Sequence, residues 1–163
     1  MKRLILGVLL CLLMATPVLA DTSSQRLDCY GGPPPDVCVW TLNWEDTTAD
    51  GVSIVMGNDQ NGKDIFSQIK GYFAYPIYTV PGTTAPTNLY DATLLDGYGI
   101  DLAGGLLADR LTATPQRVVP KVDTTNSIYG GAPLLTPVTF AISDASQNQA
   151  GALGQLIVVF WRN

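Results

Sequence analysis

Histidine is absent from the 163-residue sequence, and glutamate is almost absent, since Glu45 is the one glutamate among 14 acidic residues. Without histidine, the chain lacks the commonest general base and the usual serine or cysteine triads. It also contains no G-x-S-x-G, P-loop or dinucleotide-binding fingerprint. These absences exclude most familiar catalytic centres and leave pairs of carboxylates as the available acid–base chemistry.

Positive charge is also scarce. Nine Lys and Arg residues oppose the 14 acids, which gives a net charge of −5. An acidic surface repels phosphate backbones and anionic lipid head groups, so the sequence predicts neither nucleic-acid binding nor electrostatic docking on a membrane. The expected partners are therefore proteins, including a second copy of this chain, or glycans.

The first 20 residues are predicted to be a secretory signal peptide. Lys2 and Arg3 precede an apolar run over residues 4–14, and residues 17–20 favour cleavage at their end. An uncleaved membrane anchor is the alternative, although the run is short for a bilayer and no later segment is long enough. Processing changes the net charge from −5 to −7. We expect one mature domain, residues 21–163, that is periplasmic, extracellular or surface-associated.

Two cysteines remain in the mature chain, Cys29 and Cys38. An even pair in an exported protein is typical of a disulfide, which here would tie the mature N-terminus to the first strands. In the chain-entropy view, closing so short a loop contributes roughly 2–3 kcal/mol. A redox or metal pair is disfavoured, because the spacing is not Cys-x-x-Cys and no histidine could complete a zinc site.

Composition and hydrophobic alternation predict an all-β fold. Abundant aspartate, glycine, proline and threonine favour turns and strands over helices. Between Val37 and Trp44 every second residue is apolar, which predicts a half-buried strand with Trp40 and Trp44 in the core; a carbohydrate-binding platform is the alternative role for the two indoles. We expect a single-domain antiparallel β-sandwich, jelly-roll-like, with about seven to nine strands.

Residues 65–80 form the most aromatic part of the sequence. Their apolar pattern predicts a strand that a bulge bends at Gly71. Tyr72, Tyr75 and Tyr78 are candidate contact residues, because tyrosine buries a large area at interfaces with little loss of entropy. The three cannot share one face of a regular strand, so a continuous tyrosine strip requires an irregular backbone.

Two segments nearer the C-terminus are predicted to be strands of different kinds. Residues 116–120 end in a proline and follow another, which is typical of an edge strand. Residues 154–162 are almost continuously apolar, which predicts a central strand buried on both faces.

Residues 89–111 carry the strongest hairpin signal of the chain. Asp96-Gly97 favours a tight turn, because glycine adopts a positive φ without steric cost. The residues before it, and residues 98–102 after it, are expected to be the two strands. A double glycine at 104–105 ends the second strand.

The same hairpin is rich in charge. Asp101, Asp109 and Arg110 are candidate contact residues, and Asp109 is expected to form an ion pair with Arg110 or Arg117. Alternatively, Asp96, Asp101 and Asp109 could supply the two carboxylates of a secreted hydrolase, which needs them at a set distance. A turn residue, a solvent-facing residue and an ion pair are the simpler roles.

The loop after the second predicted strand contains a weak calcium-site candidate, Asp59, Asn61 and Asp64. The EF-hand pattern itself fails, because Gly57 stands where the first ligand belongs and Gln68 where the bidentate glutamate belongs. A solvated hairpin loop explains the same residues. Calcium is the one cofactor for which the sequence contains a candidate site.

Residues 85–113 combine a Tyr90-Asp91 strand, an acidic hairpin, the double glycine and the Asp109-Arg110 pair. In these features the segment resembles small β-rich proteins encoded among the virion genes of tailed bacteriophages. The resemblance implies an all-β particle component or accessory protein rather than an enzyme.

The sequence as a whole favours an exported, non-catalytic structural or interaction module, phage-like or surface-associated, that binds protein and associates with itself. One alternative is a carbohydrate-binding or calcium-dependent adhesion module, which Trp40, Trp44 and the 59–64 loop motivate. The other is a secreted carboxylate-dependent hydrolase.

Overall fold

Strands make up about half of the chain that the structure describes. The structure is a computed structural model, and the predicted signal peptide lies outside the residues it describes, so its cleavage remains a prediction. The described residues are 22–47, 51–86, 89–123, 128–142 and 150–162.

Eleven strands and one short helix are found within these residues. The helix, α1, spans Ile65–Ile69. The strands are β1 (Thr22–Tyr30), β2 (Val37–Asp46), β3 (Val52–Val55), β4 (Phe73–Pro81), β5 (Ala92–Leu95), β6 (Gln116–Val118), β7 (Lys121–Asp123), β8 (Ile128–Tyr129), β9 (Ala132–Pro133), β10 (Thr139–Ile142) and β11 (Ala152–Trp161).

The strands form a large and a small antiparallel sheet and a separate two-stranded ribbon. The large sheet has the order β1-β2-β11-β4-β6, with β9 also paired to β4. The small sheet has the order β3-β10-β5, and β7 pairs with β8. The all-β, antiparallel prediction is confirmed, with a sandwich-like arrangement of the two main sheets. The strand count exceeds the expected number because several strands have only two or three residues.

The core contains the inner face of the large sheet. Along β2 and β11 buried and partly exposed residues alternate, as the period of a strand requires. Trp40 is fully buried, and Trp44 packs on Phe140 of the small sheet with ring centroids 6.0 Å apart. The core prediction for both tryptophans is confirmed. Each buried aromatic side chain contributes on the order of 2–3 kcal/mol through removal of its apolar surface from water.

Residues 65–69 are helical, so the prediction of a strand there is wrong. Asp64 caps the helix, since its Oδ2 accepts a hydrogen bond from the Ser67 N–H at 3.0 Å. Ile65 and Ile69, four residues apart, are both fully buried on one side of the turn. The strand begins only at Phe73. No helix in the described part of the chain is long and apolar enough to span a membrane.

β11 is central, but only one of its faces is buried. It pairs with β2 on one side and β4 on the other, as expected of a central strand. Its residues nevertheless alternate between buried and partly exposed, which corrects the prediction of burial on both faces. β6 ends the order of the large sheet, so the predicted edge strand at 116–118 is confirmed.

The predicted disulfide joins the start of the large sheet. Cys29 of β1 and Cys38 of β2 lie directly opposite each other, with Cα atoms 4.0 Å apart. The link therefore holds the ends of two strands together where the chain turns between them.

Two glutamines bind β1 to the loop that follows β3. The Gln60 amide pairs with the backbone of Leu27, accepting from its N–H at 3.1 Å and donating to its carbonyl at 3.3 Å. Gln25 donates to the Val55 carbonyl and accepts from the Gly57 N–H, both at 2.9 Å. The Gln60 bonds satisfy part of the otherwise open edge of β1.

Candidate functional site: the outer face of the large sheet

The large sheet presents an outer face opposite the core. This face, called the outer face below, carries the residues that alternate with the buried ones along β1, β2, β11 and β4. On β11 it comprises Leu153, Gln155, Ile157, Val159 and Trp161. Because neighbouring strands are in register, outer-face residues form rows across the sheet, and two of these rows differ sharply in chemistry.

One row is built from polar side chains and is called the amide row. Ser24, Asn43, Gln155 and Val80 face one another across four strands. Gln155 Nε2 donates to Asn43 Oδ1 at 2.7 Å, and Asn43 Nδ2 donates to Ser24 Oγ at 3.0 Å. The hydrogen bonds run in one direction, so each amide is held in a defined orientation.

A groove of about 600 Å³ opens at the amide row. Among the described residues that line it, Glu45 carries the only formal charge, and no lysine or arginine is present. Aliphatic surface comes from Val80, Pro81 and Leu153. Beneath the groove Trp44 packs on Gly154, where a Cβ atom would come within 2.8 Å of the indole ring.

The opposite end of the outer face carries the aromatic row. Tyr30, Val37, Trp161 and Phe73 are in register across β1, β2, β11 and β4, and Phe73 faces Pro133 of β9. Tyr30 and Trp161 remain 60% and 47% exposed. Exposed aromatic surface of this extent, gathered in one row, is typical of contact sites.

A cleft of about 310 Å³ lies at the aromatic row between Phe73, Tyr75, Gly131 and Trp161. Trp161 Nε1 donates to the Tyr75 carbonyl at 2.6 Å, which holds the indole in place and leaves its faces apolar. A Cβ atom on Gly131 would come within 2.9 Å of Phe73 Cβ, so glycine permits the close approach that forms the cleft wall.

Two of the three predicted contact tyrosines lie on the outer face. Tyr78 pairs with Ile157 of β11, and Tyr75 is 42% exposed beside Trp161. The two share a face despite their odd spacing because the pairing of β4 with β11 shifts register between Val158 and Phe160. This is the irregular backbone that a shared face requires.

Tyr72 does not belong to this surface. It is only 5% exposed, and its hydroxyl donates to the Pro35 carbonyl at 2.6 Å. The prediction of a contact role for Tyr72 is therefore wrong, since it precedes β4 and packs under the disulfide loop.

The hairpin aspartates bind their own backbone. Asp96 Oδ1 accepts from the N–H groups of Tyr98 and Ile100, both at 2.9 Å. Asp101 accepts from three backbone N–H groups, at distances between 2.7 and 3.1 Å; they belong to Leu94, Ala103 and Gly105. Both carboxylates act as local turn caps rather than as a facing acid–base pair.

The second half of the hairpin is closed by backbone bonds rather than by the predicted ion pair. Arg110 N–H donates to the Tyr90 carbonyl at 2.8 Å, and Leu89 N–H donates to the Arg110 carbonyl at 3.0 Å. Asp109 adopts a left-handed φ of 53°, and its N–H donates to Asp91 Oδ1 at 2.8 Å. Neither Asp109 nor Arg110 forms an ion pair within the described residues.

Only residues 92–95 of the predicted hairpin strands form a regular strand. Residues 98–102 contribute a single bridge, between Leu95 and Asp101, so the prediction of a second strand is wrong. The capped turns at Asp96 and Asp101 take up the backbone N–H groups that a strand would have used. Tyr90 is buried beside this hairpin, and burial raises its pKa, against the hydrogen bond to Thr79 and the charge of Arg110.

The calcium-site candidates form a self-capped loop. Asp59 Oδ1 accepts from the N–H groups of Asn61 and Lys63 at 2.8 and 2.9 Å, and its Oδ2 accepts from Gln68 Nε2 at 3.2 Å. These bonds, the one from Lys63 above all, lower the pKa of Asp59. Asp64 caps α1 instead of facing Asp59's oxygens. In the described part of the chain, no three acidic, cysteine or histidine side chains are placed to hold a metal.

Sequence reasoning missed four residues that build the two rows: Tyr30, Asn43, Gln155 and Trp161. A signal for the last two was present, since polar Gln155 and the terminal tryptophan alternate with buried Leu156 and Phe160. The residues between Gln155 and Trp161 on the same face are apolar, so the sequence shows no alternation of polar and apolar residues there. Asn43 alternates with Leu42 and Trp44 in the same way, but its row partners come from distant parts of the chain.

Comparison with known proteins gives no family. No family model, no curated protein and no solved structure matches this chain. The resemblance of residues 85–113 to phage virion-gene proteins therefore stays a prediction, and the function has to be inferred from the geometry of the outer face.

Proposed function

We propose that this chain is an exported, non-catalytic interaction module that associates with itself through the aromatic row. The observation that carries the proposal is the exposure of Tyr30, Tyr75 and Trp161 side by side at one end of a regular sheet. Tyrosine and tryptophan are the side chains that protein interfaces favour most, and they are frequent among the residues that dominate binding energy.

A second copy of the chain fits the charge pattern around this row. A two-fold contact brings the same patch onto itself, so a patch of one charge sign would repel its copy. Here the charges come in opposite pairs: Arg26 with Asp28 at 2.7 Å on the outer side of β1, and Arg162 with Asp36 at 3.8 Å. The net negative charge of the chain opposes association through its other surfaces, whereas the positive and negative charges around the aromatic row balance each other.

The use of the carboxylates supports a non-catalytic role. A glycosidase-type centre needs two carboxyl groups that face a common substrate. Asp96 and Asp101 instead accept hydrogen bonds from backbone N–H groups in and beside their own turns. The disulfide beside the aromatic row supports export, because such bonds persist in oxidising compartments.

Sedimentation equilibrium over a range of protein concentrations tests the proposal. We expect a concentration-dependent monomer–dimer equilibrium that Trp161→Ser weakens by about 30-fold, the effect of losing one hot-spot side chain. Tyr98→Ser is the matched control, because Tyr98 is 76% exposed in the hairpin turn and lies outside the row. A chain that stays monomeric at every concentration, or that responds equally to both changes, contradicts the proposal.

A further inference from the structure

We propose that the groove at the amide row is a binding site for a neutral saccharide. This inference goes beyond self-association, since the groove and the aromatic row use different residues of the outer face. The amides of the row are oriented: because Gln155 donates to Asn43 and Asn43 donates to Ser24, the row ends in one acceptor and one donor.

These two end groups are available to a ligand. Among the described residues, Gln155 Oε1 and the Ser24 hydroxyl hydrogen have no partner. They lie two strand spacings apart, about 10 Å. A hydroxyl group on one sugar ring can donate to the first while a hydroxyl group on the next ring accepts from the second, because a chain of two sugar rings has a comparable length. Asn43 offers its second amide hydrogen between them.

The charge of the lining selects against anionic ligands. Glu45 is the one charged group among the described lining residues, so phosphate and carboxylate groups would meet no cation there. The net charge of −5 adds a general repulsion of anions. A neutral ligand with many hydroxyl groups needs only the hydrogen-bonding partners that the groove provides.

The apolar part of the groove suits the remaining surface of a sugar ring. A pyranose presents C–H groups on its faces and hydroxyl groups at its edge. Val80, Pro81 and Leu153 supply aliphatic contact next to the amides of Asn43 and Gln155. Ligand sites typically combine such apolar lining with a few placed polar groups, and a volume of about 600 Å³ lies within the usual range.

A second polar group lies at the same place. Trp44 lines the groove, is 3% exposed, and its Nε1–H is buried without a hydrogen-bond partner among the described residues. Buried donors without partners are rare and call for an explanation. A water or a ligand hydroxyl group in the groove that Trp44 lines would provide the missing acceptor.

Chemical-shift mapping by NMR tests the site on the intact, disulfide-bonded protein. The probes are neutral oligosaccharides, namely tetramers of β-1,4-glucose, α-1,4-glucose, β-1,4-mannose and N-acetylglucosamine, with tetragalacturonate as the anionic counterpart. We expect at least one neutral tetramer to shift the side-chain amide signals of Asn43 and Gln155 saturably, and tetragalacturonate to leave them unchanged. Binding of no neutral tetramer up to about 10 mM, well above the Kd of even a weak specific site, overturns the inference.

Two variants locate the binding. Gln155→Leu should weaken the saccharide by about 3- to 10-fold, the effect of one lost hydrogen bond. Tyr75→Ser, at the aromatic cleft, should leave the saccharide affinity unchanged. If Tyr75→Ser abolishes binding and Gln155→Leu does not, the sugar binds at the aromatic row and the inference is wrong. Should Gln155→Leu fail to fold, the pattern of shifted signals in the unaltered protein decides the same question.

Sedimentation of the same samples separates the two proposals. If the protein dimerises but no sugar shifts its NMR signals, the proposed self-association stands and the saccharide site is ruled out. If the protein is monomeric but a neutral sugar shifts the amide-row signals, the saccharide site stands and self-association is ruled out.

Discussion

The two ends of the outer face share strands and pleat but differ in chemistry. Gln155 and Trp161 lie on the same side of β11, six residues and about 20 Å apart. At one of them the row is made of amides and a hydroxyl, at the other of aromatic rings. Strand alternation therefore decides which residues face outward, whereas their polarity decides whether a hydroxylated ligand or another protein suits the surface.

The two rows are also held in place differently. The amide row is fixed by side-chain hydrogen bonds from strand to strand, at 2.7 and 3.0 Å. The aromatic row is fixed by the bond from Trp161 to the Tyr75 carbonyl and by the adjacent Cys29–Cys38 disulfide. Both arrangements hold side chains in place before a partner binds, which reduces the conformational entropy lost on binding. Each suggests a way to disturb one end without the other.

The largest expected effect comes from filling the space under the amide row. In Gly154→Val a Cβ atom would lie 2.8 Å from the Trp44 ring and 3.0 Å from the Val80 carbonyl oxygen. Because β11 is central and that oxygen is backbone, the neighbours cannot move aside easily. We expect a loss of about 3 kcal/mol in the free energy of unfolding, measured by urea denaturation.

Gly131→Val applies the same change to the aromatic end. Its Cβ would meet Phe73 Cβ at 2.9 Å, but β9 is short and able to shift, so we expect a loss of about 1 kcal/mol. Gly32→Ala is the neutral control, since no atom of the residues that the structure describes lies within 4 Å of the added Cβ. Equal losses of unfolding free energy for Gly154→Val and Gly131→Val would show that the amide row and the aromatic row are packed equally tightly, contrary to this prediction.

Some of this architecture could be predicted from local pattern. The complete alternation around Trp40 and Trp44 indicates the buried face of β2, and the cysteine pair indicates the disulfide. The central position of β11 was predicted, but its burial on both faces was wrong because Ile157 and Val159 on its outer face are as apolar as the inner residues. Hydrophobicity shows that a face can be buried, but not whether another layer covers it.

The rest depends on pairings between distant parts of the chain. Gln155 and Asn43 are 112 residues apart, and no local pattern sets which residue of β11 faces which residue of β2. The helix α1 is too short for a periodic signal, although the spacing of Asp64 and Ser67 is that of an N-cap. Asp96 was predicted as a turn residue, but Asp101 was expected to face solvent, and its three-bond capping depends on the exact backbone path.

The disulfide offers a more selective disturbance. Replacing both Cys29 and Cys38 by serine removes the link beside Tyr30 and Val37, which belong to the aromatic row. We expect a loss of roughly 2–3 kcal/mol in unfolding free energy, together with weaker self-association by sedimentation. NMR shifts of Asn43 and Gln155 should stay as they are. If the amide-row signals move as much as those of Tyr30, the ends are not independent.

The smallest effect on stability is expected from lowering the pH. It should affect the amide row and the aromatic row equally. Hydrogen bonds, first of all from the Lys63 N–H, lower the pKa of Asp59 in the folded protein. The unfolded chain takes up the proton near the ordinary pKa of about 3.9. The carboxylate's contribution to stability is therefore complete above that pH and is lost as the pH falls through the lower, folded-state pKa.

Asp59→Asn tests this contribution. Urea midpoints should be lower than in the unaltered protein above about pH 4, and the two should converge in stronger acid, where the carboxylate is neutral in both states. Asp59 shapes the loop whose Gln60 holds Leu27, midway along β1 between Ser24 and Tyr30. Because one residue of each row belongs to β1, the backbone signals of Ser24 and Tyr30 should shift together in the variant. A shift confined to one of them would mean that β1 does not couple the amide row to the aromatic row.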